Sequence, residues 1–315
     1  MRKVQILKSI YEEFCIDLKE FSFTVAFARV VSKIRIPFLS YADRSSFFWT
    51  RIYRYIRKQY GTRIDYKTDC ASHDLALSEN VIWVMWWQGE EQMPDVIHMC
   101  YEQMKRVKGN KKLVLITKDN YTEYVQLPTA IIRKFNAGLI SITHLSDVIR
   151  CYLLRDHGGL WLDSSIFASN LNINWTEDFY TLSSHGKLEN YFSNGSWATF
   201  VLYCKYKNSL FMRYMCALYK CYWEEHDRVI VYEMPDYFIR LIYDNSEVVK
   251  NQIDRVPDNT GYRLLLGIMN NKYNQESIDK VLKECPLQKL SYKYEVNKEK
   301  NGELTNFGHL MNEAI

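Results

Sequence analysis

The chain has 315 residues, 47% apolar and 25% charged, enough to bury a sizeable core in one domain plus an extension. Its net charge of +4 and pI near 8.4 are too mild for a nucleic-acid binder, whose domains are strongly basic. An aromatic content of 15%, with 24 Tyr, suits a protein that stacks on sugars and bases, and equally suits ordinary core filling.

Residues 1–78 are helical in pattern and form an N-terminal extension. Met1 to Lys8 is charged and leads into Ser9 to Glu13, so no signal peptide is predicted. The apolar run Phe21 to Val31 contains Arg29 and is shorter than the roughly 20 residues that cross a bilayer, so no membrane span is predicted. Between Arg44 and Gln59, Phe48, Ile52, Tyr55 and Ile56 form an apolar stripe, and Arg51, Arg54 and Lys58 a basic one. Such a helix lies on an anionic membrane surface, or packs on the main domain with its basic face in water.

Residues 79–315 read as the main domain. Val81 to Trp87 is a continuous apolar run suited to a strand buried on both faces, ending at Gln88 and Gly89, with Trp83 and Trp86 read as core. Pro94 opens a helix through about Lys105, Lys112 to Thr117 is a second strand, and Pro128 to Ala137 a second helix. This βαβα order predicts an α/β fold, a parallel sheet with helices on both sides. Beyond Phe167 the pattern predicts a strand at Phe179 to Ser183 and helices at Ser196 to Tyr206, Ser209 to Glu225 and Pro235 to Tyr243. The eight cysteines, Cys70 among them, show no CxxC pair and read as the buried, reduced thiols of a cytosolic protein.

The richest stretch is LSDVIRCYLLRDHGGLWLDSSIF, Leu145 to Phe167. Asp147 and Arg150 share one helix face, Gly158 and Gly159 break the helix, and Asp163 ends the apolar strand Leu160, Trp161, Leu162. A carboxylate delivered at a strand's carboxyl end, beside a helix bearing a charged pair, makes a site for a polar ligand such as a sugar nucleotide. No nucleophile elbow and no phosphate-binding GxxxxGK[ST] loop is present.

Ser146, Asp147, Arg150, Gly158, Gly159 and Asp163, in this order and at this spacing, resemble the SDxxR helix, GG turn and acidic strand end of bacterial capsular polysaccharide synthesis proteins. Those are glycosyltransferases similar to glycosyltransferase family 32 and, more distantly, to the large clostridial glucosylating toxins. The resemblance implies a GT-A-like, Rossmann-type nucleotide-sugar-binding sheet with a helical C-terminal part. It implies transfer of a hexose from a UDP sugar, such as UDP-galactose or UDP-glucose, to a lipid-linked capsule intermediate with retention of configuration. An enzyme doing this works in the cytoplasm, peripheral on the inner face of the cell membrane.

By the same resemblance Trp87 stacks on the nucleotide base, with Gln88 and Gly89 beside it. Asp147 accepts hydrogen bonds from sugar hydroxyls, Arg150 opposes charge on the leaving diphosphate, and Asp163 binds the ribose or sugar and orients a metal. Asp236, in YEMPDYF, stands on the acceptor side, or is simply a carboxylate favoured at a helix N-terminus. His309, in NFGHL, is a candidate metal or diphosphate contact. Asp163, Ser164, Ser165 stand where the wider superfamily has DxD, so one acid is present where Mn2+ or Mg2+ usually meets two. That departure leaves open a weak metal requirement, and also a silent sugar-nucleotide or glycan-binding subunit; a capsule sugar-phosphate transferase is the other enzymatic alternative.

Overall fold

A computed structural model of the chain describes residues 2–66, 76–171, 177–185 and 192–314. It begins with three helices, α1 (Arg2–Glu20), α2 (Phe23–Lys33) and α3 (Tyr41–Tyr60). Ser22 caps α2 by accepting from Val25, and Ser40 and Asp43 form a reciprocal capping box that fixes the start of α3. Ile52 and Ile56 of α3 are fully buried, and Phe48 and Tyr55 pack against the same core. The apolar stripe is therefore interior, which corrects the expectation that it could meet a bilayer. Arg54 and Lys58 remain exposed, while Arg51 lies over the Phe47 ring at 4.9 Å. Asp17 of α1, wholly buried, pairs with Arg29 and with Arg228 at 3.5 Å, tying the N-terminal helices to the rest of the chain.

The main sheet contains β1 (Val81–Met85), β2 (Lys112–Ile116), β3 (Gly159–Asp163), β5 (Phe179–Thr181) and β6 (Val201–Cys204), in the order β2-β1-β3-β6-β5. A small second sheet pairs β4 (Ile166–Ala168) with β7 (Leu287–Lys289). β1 is parallel to both β2 and β3, whereas β6 returns antiparallel to β3, with β5 antiparallel to β6. The expected α/β class holds, with a mixed sheet in place of an all-parallel one. The crossovers carry α4 (Asp95–Val107), then the short α5 (Tyr121–Tyr124), α6 (Thr129–Asn136) and α7 (Ile142–His157). Two longer helices, α8 (Leu210–Glu225) and α9 (Met234–Asn245), follow β6.

Side-chain alternation divides β1 between two cores. Val81, Trp83 and Met85 join Trp161, α7, α8, α9 and α3 on one face; Ile82 and Val84 join Leu160, Leu162 and Met104 of α4 on the other. The predicted helix at Ser196 to Tyr206 is instead β6, preceded by a turn. The run Phe200, Val201, Leu202, Tyr203 is rich in aromatic and branched side chains that fit a pleated surface, and an unbroken apolar run satisfies either period.

Gly158 and Gly159 are required by geometry. Their φ values are +66° and +90°, and a Cβ on Gly159 would lie 2.5 Å from the Val81 carbonyl oxygen. The turn thus lets β3 leave α7 and enter the sheet directly against β1. Among the described residues Cys100, Cys151, Cys204, Cys216 and Cys285 are buried, Cys221 is partly covered and Cys15 is exposed. Cys70 lies outside the described residues.

Candidate active site

Met85 stands opposite Asp163 in the parallel β1 and β3 pair, so the carboxyl ends of the two strands open side by side. There they floor a cleft of about 610 Å³, of a size for a sugar nucleotide. The β1 end supplies Trp86, Trp87 and Gln88, the β3 end Asp163, Ser164 and Ser165, and α7 Thr143, Ser146 and Arg150. Ser141 caps α7, its hydroxyl accepting from the His144 backbone, so the helix starts at the cleft and carries Arg150 to its floor two turns on.

Arg150 is the hub. Its Nη1 donates to the Thr199 carbonyl at 2.5 Å, and its Nη2 reaches Asp147 at 3.2 Å and Asp163 at 3.1 Å. The guanidinium lies 5.0 Å from the Trp161 ring centroid. Asp163 is held on both oxygens: Oδ1 by Arg150 and by Trp161 Nε1 at 3.0 Å, Oδ2 by Lys289 Nζ at 2.8 Å. Burial acts to raise the Asp163 carboxyl, but Lys289 and Arg150, with hydrogen bonds from Lys289 and Trp161, outweigh it and hold the group at about 2. Asp163 is therefore a fixed anion.

Asp147 behaves in the opposite way. Burial raises it, Arg150 opposes this and Asp163 adds to it, leaving it at about 6. It lines a small apolar cavity behind Arg150, shared with Thr199 and Pro235, and does not line the main cleft. Asp236, in the first turn of α9, accepts from Trp197 Nε1 at 2.9 Å. Burial raises Asp236 to about 7 against that hydrogen bond, with Glu233 and Asp147 adding to the rise. It too is absent from the cleft lining.

The structure thus brings Trp87, Gln88, Arg150, Asp163 and Ser165 together at one cleft, with Asp147 directly behind. Trp87 is wedged against Tyr121 at 5.4 Å and Phe135 at 5.3 Å. Trp86, expected in the core, lines the cleft because β1 ends at Met85. Gly89 does not line it; its φ of +91° serves the turn in which its N–H donates to the Trp86 carbonyl at 3.0 Å. His309 is elsewhere. It lies on the C-terminal helix Asn306–Ala314, stacked on Tyr273 at 3.9 Å, and does not join Asp163 or Ser165 in the cleft.

Sequence reasoning missed the opposite wall. Arg263, Lys289, Tyr292, Lys293 and Tyr294 all line the cleft, and Tyr292 packs edge-on to Trp86 at 5.6 Å. The available signal was the alternation of lysine and tyrosine in KLSYKY, Lys289 to Tyr294.

The residues around Asp163 do not fit a divalent cation. A hard cation needs oxygen ligands with free lone pairs, preferably from two carboxylates. Among the described residues the cleft offers one carboxylate, engaged on both oxygens by cations and an indole N–H, and otherwise only neutral side-chain oxygens, those of Ser164, Ser165, Ser146, Ser291, Thr143, Gln88 and the tyrosines. A three-ligand grouping of Glu90, His98 and Glu102 lies at the α4 edge, where Lys105 already pairs with both glutamates.

An α/β sheet whose parallel strands end at a cleft with a fixed carboxylate, buried arginine and aromatic wall defines a protein with a candidate site for a polar ligand at the strands' carboxyl ends. Residues 40–310 match the family model described as capsular polysaccharide synthesis protein, and the chain belongs to that family. Among solved structures it is similar to PaToxG Glycosyltransferase, at 12% identity and a TM-score of 0.39, over 75% of this chain and 91% of that one. No curated protein matches the chain.

Proposed function

We propose that this protein is a retaining glycosyltransferase that moves a hexose from a UDP sugar to a lipid-linked intermediate of capsule assembly. The observation that carries the reading is the Arg150, Asp147 and Asp163 network at the adjoining carboxyl ends of β1 and β3, with Trp87 at the cleft wall. Family membership supports the role in capsule synthesis.

In this reading the base stacks on Trp87 and Asp163 accepts hydroxyl hydrogen bonds from the ribose or sugar. Arg150, dehydrated and pre-aimed, opposes the charge that develops on the leaving phosphate. Asp147 serves by holding Arg150 in place from behind. The one acid of the described cleft lining is a weak base because two cations hold it ionised. A front-face route, in which the departing phosphate takes the acceptor's proton, needs no other base and gives retention. Exposed Tyr232, Tyr292 and Tyr294 line the mouth and offer amphipathic rings to an acceptor glycan.

A lipid-linked acceptor places the reaction at a membrane surface, on its cytoplasmic face. No helix among the described residues is long and apolar enough to cross a membrane. The N-terminal helices do present apolar surface, including Leu7, Tyr11 and the stacked, exposed pair Phe23 and Phe27. This hairpin takes over the peripheral contact first expected of α3.

The test is a panel of nucleoside diphosphate sugars with a lipid-linked acceptor, the product anomer read by NMR. One UDP sugar transferred in α linkage, with Arg150→Ala inactive, is the expected result. Release of a nucleoside monophosphate would make the protein a sugar-phosphate transferase, and binding without turnover a silent subunit; either result overturns the proposal.

A further inference from the structure

The cleft has an unusual charge balance for a site expected to hold a divalent cation. Among the described residues its lining carries four cationic side chains, Arg150, Arg263, Lys289 and Lys293, against the single carboxylate of Asp163. A metal-dependent diphosphate site is normally the reverse, with acids gathering a cation that then meets the phosphates. Here positive charge is already built in.

Lys289 occupies the critical place. It ends β7, whose pairing with β4 sets Lys289 opposite Ile166, just past the Asp163, Ser164, Ser165 corner. The backbone is pinned on both sides: Lys289 N–H donates to the Tyr262 carbonyl at 2.6 Å, and Leu290 N–H to the Ser165 carbonyl at 2.9 Å. Its side chain is 20% exposed, with the ammonium on Asp163 Oδ2 at 2.8 Å and 4.8 Å from the Phe200 ring centroid. An ammonium has three N–H donors, so the bond to Asp163 leaves capacity for phosphate oxygens.

A metal at Asp163 would have to displace this ammonium, which already delivers positive charge to the carboxylate oxygen a cation would use. Ser165, in place of a second acid, removes the anion that would repay the exchange. The absent acid and the present lysine are two sides of one arrangement.

We infer, on the reading of the cleft as a nucleotide-sugar site, that Lys289 replaces the divalent cation: its ammonium and the Arg150 guanidinium together bind the donor's diphosphate without a metal. Arg263 and Lys293 extend the same cationic wall toward the mouth. The reaction gains the charge stabilisation a metal would supply, from groups fixed by the fold before the donor arrives.

The experiment is calorimetric titration of the full chain with UDP, inorganic pyrophosphate and uridine, in chelator and in excess Mn2+ or Mg2+. UDP and pyrophosphate should bind in chelator, and added metal should not tighten them. Lys289→Met should weaken both by about 10- to 100-fold, the worth of a hydrogen bond to a charged group. It should leave uridine binding unchanged, while Lys289→Arg restores diphosphate binding. Circular dichroism melts confirm that each variant is folded. Diphosphate binding that requires the metal and ignores Lys289→Met would overturn the inference and leave the transferase reading standing. A folded wild type that binds neither UDP nor pyrophosphate, with or without metal, would overturn the donor site itself.

Discussion

Asp147→Asn tests whether the buried network is built for ligand rather than for stability. The Asp147 side chain is 12% exposed, and burial with the nearby Asp163 charge, only partly offset by Arg150, raises it from 3.8 to about 6. Keeping such a group ionised costs the folded state about 3 kcal/mol at neutral pH. The folded state binds the Asp147 proton more tightly than the unfolded chain does, so this cost is absent below pH 3.8, grows up to about pH 6 and is constant above. Asparagine has the shape of the neutral acid and no titration. The variant should therefore gain up to about 3 kcal/mol at pH 8, or about 5 °C in melting temperature for a chain of this size, and about half of that at pH 5. Its turnover should fall, because Arg150 loses a charged partner. Thermal melts of both proteins at pH 5 and pH 8, with turnover measured alongside, decide the matter. A variant less stable than wild type at pH 8, or a difference independent of pH, would refute the reasoning.

Trp87→Ala should weaken UDP binding by roughly 1–3 kcal/mol and leave pyrophosphate binding intact, as calorimetry with the two ligands would show. Gly159→Ala should cost at least about 3 kcal/mol, since its Cβ meets the Val81 carbonyl oxygen at 2.5 Å on a backbone of φ +90°; urea unfolding measures it, and a loss under 1 kcal/mol would mean that the turn relaxes freely. Phe23→Ser with Phe27→Ser should reduce sedimentation with anionic liposomes while sparing transfer to a soluble acceptor analogue; undiminished binding would remove the N-terminal hairpin from the membrane contact.

What could be read from the sequence was what neighbours in the chain determine. Asp147 and Arg150 meet because three residues is less than one helical turn, and Gly158 and Gly159 are required by a turn between adjoining elements. Asp163 ends β3 as expected. The failures depend on partners far along the chain. β1 stops at Met85, where its ladder with β2 and β3 ends, so Trp86 escapes the core despite an unbroken apolar run. The strand Val201–Cys204 owes its state to pairing with β3, which no local period reveals. The stripe on α3 was read correctly as amphipathic, but what covers it is the domain core. Lys289 was not singled out, its partner being 126 positions earlier.

That separation gives the site an order of birth. At roughly 5–20 residues per second, Lys289 leaves the ribosome about 6–25 s after Asp163. In that interval α7, β3 and β6 can meet, so Arg150 can already join Asp163 to the Thr199 carbonyl. The carboxylate Oδ2 and the far wall wait for the segment around β7. Until the last sixth of the sequence arrives, the cleft lacks the wall that carries Arg263, Lys289 and Lys293, and with it most of its positive charge.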